Sequence, residues 1–229
     1  MGEGASLVRG GKSKSRAIMD LSSPGLMLFS PQLSEAEAFL PPLQAALSAG
    51  EVKALVLDLA DADDRSLVNL VRRVAPVAQA KGAAVLIAER PHLVARSGAD
   101  GVHLRDPKEL DTALDLLKRQ DRIVGTGGLR LRDDAMAAAE KGADYVLFGE
   151  TLADGKRASF ASIVERTSWW AGIFETPCVG FAGDLDEVDA LAATGAEFVA
   201  IGEALWTHAQ GPASAASSAL QRLACRNAA

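Results

Sequence analysis

Cysteine, histidine, aromatic residues and positive charge are all scarce in this chain, and each scarcity removes a class of protein. Two cysteines among 229 residues cannot build a disulfide framework or a cysteine-rich zinc module. The three histidines lie far apart, and His92 and His208 have no partner at metal-ligand spacing. Aromatic residues make up 5%, too little for a stacking platform on single-stranded nucleic acid. Lys and Arg number 24 against 30 Asp and Glu, a formal net charge of −6. That balance disfavours a broad nucleic-acid footprint and an anionic membrane surface. No apolar run approaches the roughly 20 residues of a membrane span. Residues 1–20, rich in Gly, Ser and basic residues, lack the apolar stretch of an export signal. They read as a flexible arm, with a basic lid over a phosphate as the functional alternative. The expected location is cytoplasmic, with both thiols reduced.

What is present is alternation. The hydrophobic fraction is 48%, enough for a sizeable core. Eight short aliphatic runs begin at 26–30, 53–59, 83–89 and 101–104 and continue at 122–128, 145–150, 178–183 and 198–205. Continuous runs of this length suit strands buried on both faces of a parallel sheet. Amphipathic stretches between them predict helices over 34–50, 65–81, 107–120, 132–141, 160–174, 186–194 and 211–226. Pro41 and Pro42 are expected to bend or split the first. One junction repeats: Gly98-Ala99-Asp100, Gly142-Ala143-Asp144 and Gly195-Ala196-Glu197 each lead directly into an apolar run. A glycine in the left-handed conformation ends a helix there and the strand follows. Eight such units in this length predict a single (β/α)₈ barrel over 21–229. The rival, an open doubly wound sheet, would show a Gly-rich fingerprint after its first strand. Ser30-Pro31-Gln32 stands there instead.

In such a barrel, chemistry sits at the C-terminal strand ends. That rule selects Ser30, Asp58, Glu89, Arg105, Gly127, Gly128, Glu150, Gly183, Asp184, Gly202 and Glu203. Backbone N–H groups at Gly183 and Gly202 are candidates for an anion position between the last two turns, although Asp184 equally suits a helix cap. The acids there can serve acid–base work, metal binding or ordinary loop polarity. Asp61, Asp63 and Asp64 read as a solvated helix start. Lys156 and Arg157 are the best cations for a phosphate or diphosphate. His103, Cys178 and Cys225 read as core residues, and the Trp169-Trp170 pair offers one ring to a barrel end or a homo-oligomer contact.

At these residues the chain resembles the thiamine-phosphate synthase family and its TenI-like tautomerase relatives. The likeness rests on ADGVHL at 99–104, GADYVLFG at 142–149, PCVGFAG at 177–183 and GAEFVAI at 195–201. It implies a barrel that joins a pyrimidine carbinol diphosphate to a thiazole phosphate, releasing diphosphate with Mg²⁺. It assigns a catalytic cation to Lys156, a metal carboxylate to Glu89 and a phosphate contact to Gly183. Other positions depart from the family. Its strand-two Q-x-R-x-K falls on Val56, Asp58 and Ala60, and the metal-binding Asp after strand four falls on Lys108. Its strand-five Ser falls on Gly127, the tautomerase His region reads Gly128-Leu129-Arg130, and the strand-eight Ser is lost near Glu203. Two unit charges about 4 Å apart interact by roughly 4 kcal/mol at an effective dielectric of 20. Asp58 beside a diphosphate therefore implies weakened or altered turnover unless Arg105 or Lys108 relocates positive charge. The alternatives are a TenI-like or catalytically degenerate barrel that binds a phosphorylated ligand, and a non-catalytic interaction protein.

Overall fold

The computed structural model describes residues 24–152 and 154–225. The arm expected over 1–20 lies outside them. Eight parallel strands close into a barrel in sequence order, with β1 pairing both β2 and β8. They are β1 (Gly25–Leu33), β2 (Val52–Leu59), β3 (Ala84–Ala88) and β4 (Gly101–Leu104), then β5 (Ile123–Thr126), β6 (Tyr145–Phe148), β7 (Cys178–Ala182) and β8 (Phe198–Ile201). The described helices are α1 (Ala36–Ser48), α2 (Asp64–Gln79), α3 (Pro91–Ser97), α4 (Leu110–Leu117), α5 (Arg132–Lys141), α6 (Phe160–Ala171), α7 (Val188–Ala192), α8 (Glu203–Trp206) and α9 (Gly211–Ala224). None is long and apolar enough to cross a membrane.

The strands are apolar throughout because both faces are covered. Met27, Phe29, Val56, Leu86, Leu147 and Val179 fill the lumen. Their neighbours Leu28, Leu57, Ile87, Phe148 and Ile201 face the helices. The two-residue alternation sends Asp58, two places after Val56, to the lumen mouth.

The repeated junction does more than turn. Gly98, Gly142 and Gly195 all have positive φ, as a left-handed helix stop requires. The acid two residues later reaches back to the preceding strand. Asp100 accepts from the Val85 N–H at 3.0 Å, Asp144 from Val124 at 2.7 Å and Glu197 from Cys178 at 2.9 Å. Each acid therefore caps an amide of the strand that its own strand pairs with. The sequence pattern names the turn, but the carboxylate's partner lies some 20 residues away and becomes visible only in three dimensions.

Several element boundaries differ from expectation. Pro41 and Pro42 lie inside an unbroken α1. Both miss a helical hydrogen bond, but Pro41 and the residues one turn before it face solvent, where water satisfies the freed carbonyls. The apolar stripe Phe39, Leu43, Ala46 and Leu47 holds the helix down. The helix expected over 107–120 is a regular α4 between two 3₁₀ turns, Pro107–Glu109 and Lys118–Gln120. The last apolar run stops as a strand at Ile201, so Glu203 begins α8. Cys178 is buried as expected, and its thiol is pushed well up by burial and by the Glu197 carboxylate, which keeps it an unreactive thiol. Cys225 is exposed, a correction to its reading as a core thiol: it follows the last turn of α9, beyond the buried Leu223. Asp63 does start a helix, capping α2 through the Ser66 N–H at 3.0 Å.

Candidate active site

The lumen under the mouth contains an imidazole. His103 is fully buried on β4, edge-on to Phe29 with ring centroids 5.1 Å apart. Its Nδ1 lies 2.8 Å from the Tyr145 hydroxyl and its Nε2 lies 3.2 Å from Glu150 Oε2. Burial, with the Glu150 and Asp144 carboxylates nearby, raises the Tyr145 pKa, so the phenol keeps its proton. Both ring nitrogens therefore have partners, and in the tautomer whose Nδ1 accepts from the Tyr145 hydroxyl, Nε2–H donates to Glu150. The reading of His103 as a satisfied core residue holds, but its partner Glu150 reaches the mouth.

Above it, Asp58, Glu89, Arg105 and Glu150 meet. Asp58 is anchored by its own N–H donating to Ser30 Oγ at 2.9 Å. Arg105 donates from Nη2 to Asp58 at 2.9 Å, and its Nε lies 3.6 Å from Glu150. The Arg105 backbone N–H donates to Glu89, which holds a left-handed φ of 60° at the end of β3. A non-glycine residue in that region is uncommon and costs of order 1–3 kcal/mol, a kind of strain that clusters at functional sites. Arg105 is thus paired with Asp58, which neutralises that carboxylate rather than adding a free cation in place of the family's strand-two pair.

Gly127 and Gly128 form the floor of the turn after β5. A Cβ on Gly127 would lie 1.8 Å from Glu150 Oε1, and one on Gly128 1.8 Å from the Arg105 carbonyl oxygen. The Gly128 N–H donates to Glu150 Oε1 at 2.8 Å. Glu150 therefore fills the volume that a strand-five side chain would take, which explains why Gly stands at the position of the family's Ser. Gly127→Ser is expected to lower stability by about 1–3 kcal/mol through overpacking, and the same substitution made in a Glu150→Ala background, measured against Glu150→Ala alone, should cost much less. Urea unfolding in both backgrounds checks it, and equal stability of Gly127→Ser and the parent would remove the steric account.

Beside Glu150 opens a cavity of about 260 Å³ between the ends of β5 and β6. Arg130, Lys156, Arg157 and Arg166 all line it. Arg130 pairs with Asp154 at 3.0 Å, and Arg166 donates to the Leu129 carbonyl at 3.3 Å. Lys156 is exposed at the rim, its backbone fixed through Asp154 and Leu152. The sequence reading singled out Lys156 and Arg157. It missed Arg130 and Arg166, which lie on other elements with no spacing to connect them.

The turns expected to hold an anion are neighbours, since Ala182 pairs with Ile201. Gly202 permits a close approach: a Cβ would stand 3.1 Å from the Phe181 ring. Asp184 acts as the cap, accepting from Asp186 and Glu187 N–H groups at 2.9 and 3.1 Å. The Gly183 N–H already donates to Glu187 at 2.6 Å. Glu203 is exposed at the start of α8. The Trp pair is asymmetric, as helix geometry requires. Trp170 is buried, while Trp169 is half-buried with the Arg132 guanidinium 4.4 Å above its ring.

Among the described residues, no group of three or more His, Cys, Asp or Glu side chains is arranged to hold a metal ion. Fold and mouth together define a (β/α)₈ barrel whose working end combines a cationic cavity with a buried carboxylate–imidazole pair. A family model described as thiamine monophosphate synthase matches residues 26–205, and the chain belongs to that family. The thiamine-phosphate synthase of Rhodospirillum centenum is 38% identical over 83% of this chain and 93% of its own length. That of Hyphomonas neptunium is 35% identical over 81% and 86%. Among solved structures, thiamine phosphate pyrophosphorylase from Pyrococcus furiosus shares the fold with a TM-score of 0.72, at 18% identity over 87% of this chain and 95% of that one.

Proposed function

We propose that this chain catalyses the thiamine-phosphate synthase reaction in the cytoplasm. It joins hydroxymethylpyrimidine diphosphate to thiazole phosphate, and the bond to diphosphate breaks with its electron pair leaving on diphosphate. The observation that carries the reading is the cluster of Lys156, Arg130 and Arg166 around one cavity at the mouth. Departure of a diphosphate needs positive charge preorganised where negative charge develops. The family's strand-two cations are missing here, and this cavity gathers cations on the opposite side of the mouth. The weakened turnover implied by Asp58 assumes an uncompensated charge. With Arg105 2.9 Å away, Asp58 has its counter-ion, and this favours a working synthase over a degenerate barrel.

Mg²⁺ suits this mouth as an ion carried in with the diphosphate. The donor set is one accessible carboxylate, Glu89, with one oxygen accepting from the Arg105 N–H, and Mg²⁺ is commonly held by one or two carboxylates together with substrate phosphates and water. Such an ion would add positive charge at the leaving group. The chain's own part is to hold Glu89 in place through Arg105, and to present Lys156 from a loop pinned by Asp154.

The test is turnover in vitro with both substrates, alongside complementation of a strain lacking the synthase. Wild-type chain should complement, and Lys156→Ala should lose on the order of 100-fold in kcat/KM. Robust complementation by Lys156→Ala would refute the choice of cation. Failure of the wild-type chain, with phosphate-ester binding intact, would favour the degenerate barrel.

A further inference from the structure

Glu150 holds a nearly buried charge that no cation fully answers. Its side chain is 5% exposed, and its hydrogen-bond partners are neutral. The Gly128 N–H donates to Oε1 at 2.8 Å, and His103 Nε2 lies 3.2 Å from Oε2. With Nδ1 accepting from Tyr145, that imidazole is uncharged. Among the described residues the one cation paired with Glu150 is Arg105, its Nε 3.6 Å away, and its Nη2 lies closer to Asp58 at 2.9 Å. A carboxylate this deep ordinarily has a close ion partner, because a buried charge is costly without one. Two N–H groups also occupy only about half of the roughly four acceptor positions of a carboxylate. Glu150 lines the same cavity as Arg130, Lys156 and Arg166. Its bond to the lumen imidazole puts it at the inner end, while Lys156 stands exposed at the rim.

We propose that Glu150 is a catalytic residue of the synthase reaction, its carboxylate stabilising the positive charge that forms on the pyrimidine carbinol carbon and passes to the thiazole ring. The inference rests on the synthase reading of the mouth. The C–O bond breaks with its electron pair on diphosphate, which leaves the carbinol carbon electron-poor. The lone pair of the thiazole nitrogen then forms the new C–N bond, and the ring keeps the positive charge. No proton moves, so Glu150 acts as a fixed charge and not as an acid or base. Charge separates along the cavity: the inner carboxylate meets the carbon, and the rim cations meet the leaving diphosphate. Such a charge is effective when it is held in place before the reaction. Here the Gly128 amide fixes one oxygen and His103 the other, with Tyr145 holding the imidazole from behind. Glu150 also takes the space above Gly127, so its charge stands over the lumen, where a low local dielectric strengthens it.

Two ligands separate charge from shape: thiamine phosphate, and its thiophene analogue in which carbon replaces the charged ring nitrogen. Both are titrated by calorimetry into the full wild-type chain and into Glu150→Gln, with urea unfolding to establish that the variant is folded. Glu150→Gln keeps the size and loses the charge. It should bind thiamine phosphate about tenfold more weakly than wild type, while its affinity for the neutral analogue stays unchanged. Glu150→Ala combined with Gly127→Ser removes the charge and refills the space, and should show the same selective loss. Glu150→Asp, which keeps the charge, should retain part of the preference for the cation. In turnover, Glu150→Gln should lose on the order of 100-fold in kcat with the KM for thiazole phosphate unmoved. Equal losses for both ligands, or no loss for either, overturn the proposal and leave Glu150 as a brace for the turn at Gly128. A wild-type chain that binds neither ligand overturns it as well. The synthase reading fails separately: turnover would be absent in wild type while the selective loss of thiamine phosphate still appeared.

Discussion

Arg105→Met should reduce synthase turnover by on the order of 100-fold or more while leaving the barrel folded. The guanidinium is about one-third exposed, pairs with Asp58 at 2.9 Å and lies 3.6 Å from Glu150. Removing it leaves three carboxylates, Asp58, Glu89 and Glu150, around the space where a diphosphate is proposed to develop charge. The formal charge of the cluster goes from −2 to −3, Asp58 loses its counter-ion, and the added repulsion raises the barrier. The backbone N–H of residue 105 still donates to Glu89, so that strained residue keeps its support. The diagnostic is the second substitution. Arg105→Met with Asp58→Asn should recover a substantial part of the lost rate, because neighbours in one ion-pair network do not act additively. Steady-state kinetics on wild type and the two variants decide it. Turnover of Arg105→Met within a few-fold of wild type would mean that the Asp58–Arg105 pair is remote from the chemistry.

The same cluster shows what a sequence can and cannot disclose. Strands buried on both faces announce themselves as continuous apolar runs, so all eight lie where the runs lie. The closing glycines are equally legible, since Gly98, Gly142 and Gly195 need a conformation that other residues resist. The strand-end rule then gathers Asp58, Glu89, Arg105 and Glu150 at the mouth without any further information. Which of them pair is another matter. Asp58 and Arg105 are 47 residues apart, and their contact depends on the stagger of β2 against β4 across the mouth. Read one by one, Asp58 looks like a lost cation; read in place, it is half of a neutral pair. Glu187 escapes sequence reasoning for a related reason. It appears as one more acid in a short helix start, and its ion pair at 2.6 Å is with Arg157, which arrives from the previous loop. Likewise the acids after the repeated glycines look like turn polarity, until their carboxylates are found on amides of the preceding strand.

The largest effect on stability is expected at Trp170→Ala, a loss of about 3–5 kcal/mol. The indole is fully buried, stacked on Phe174 with centroids 4.0 Å apart and tilted against Phe148 at 6.0 Å. Its Nε1–H donates to the Thr176 carbonyl at 2.7 Å, fastening the end of α6 to the segment entering β7. Truncation opens a cavity between helix and sheet and strips that carbonyl of its donor. For a domain of this size the loss corresponds to a fall in Tm of roughly 6–20 °C. Trp170→Phe separates the two contributions: it keeps most of the apolar contact and loses the donor, so about 1–3 kcal/mol is expected from the unpaired carbonyl. The consequence for function is indirect but measurable. The helix that Trp170 anchors also carries Arg166 to the cationic cavity, and Phe148 leads directly to Gly149 and Glu150 at the mouth. Well below its melting temperature, Trp170→Ala should therefore bind phosphate esters more weakly than Trp170→Phe, in the order of their stabilities. Urea unfolding with parallel ligand titration checks both parts. A loss under about 1 kcal/mol for the alanine variant would show that this helix is not held to the sheet by Trp170.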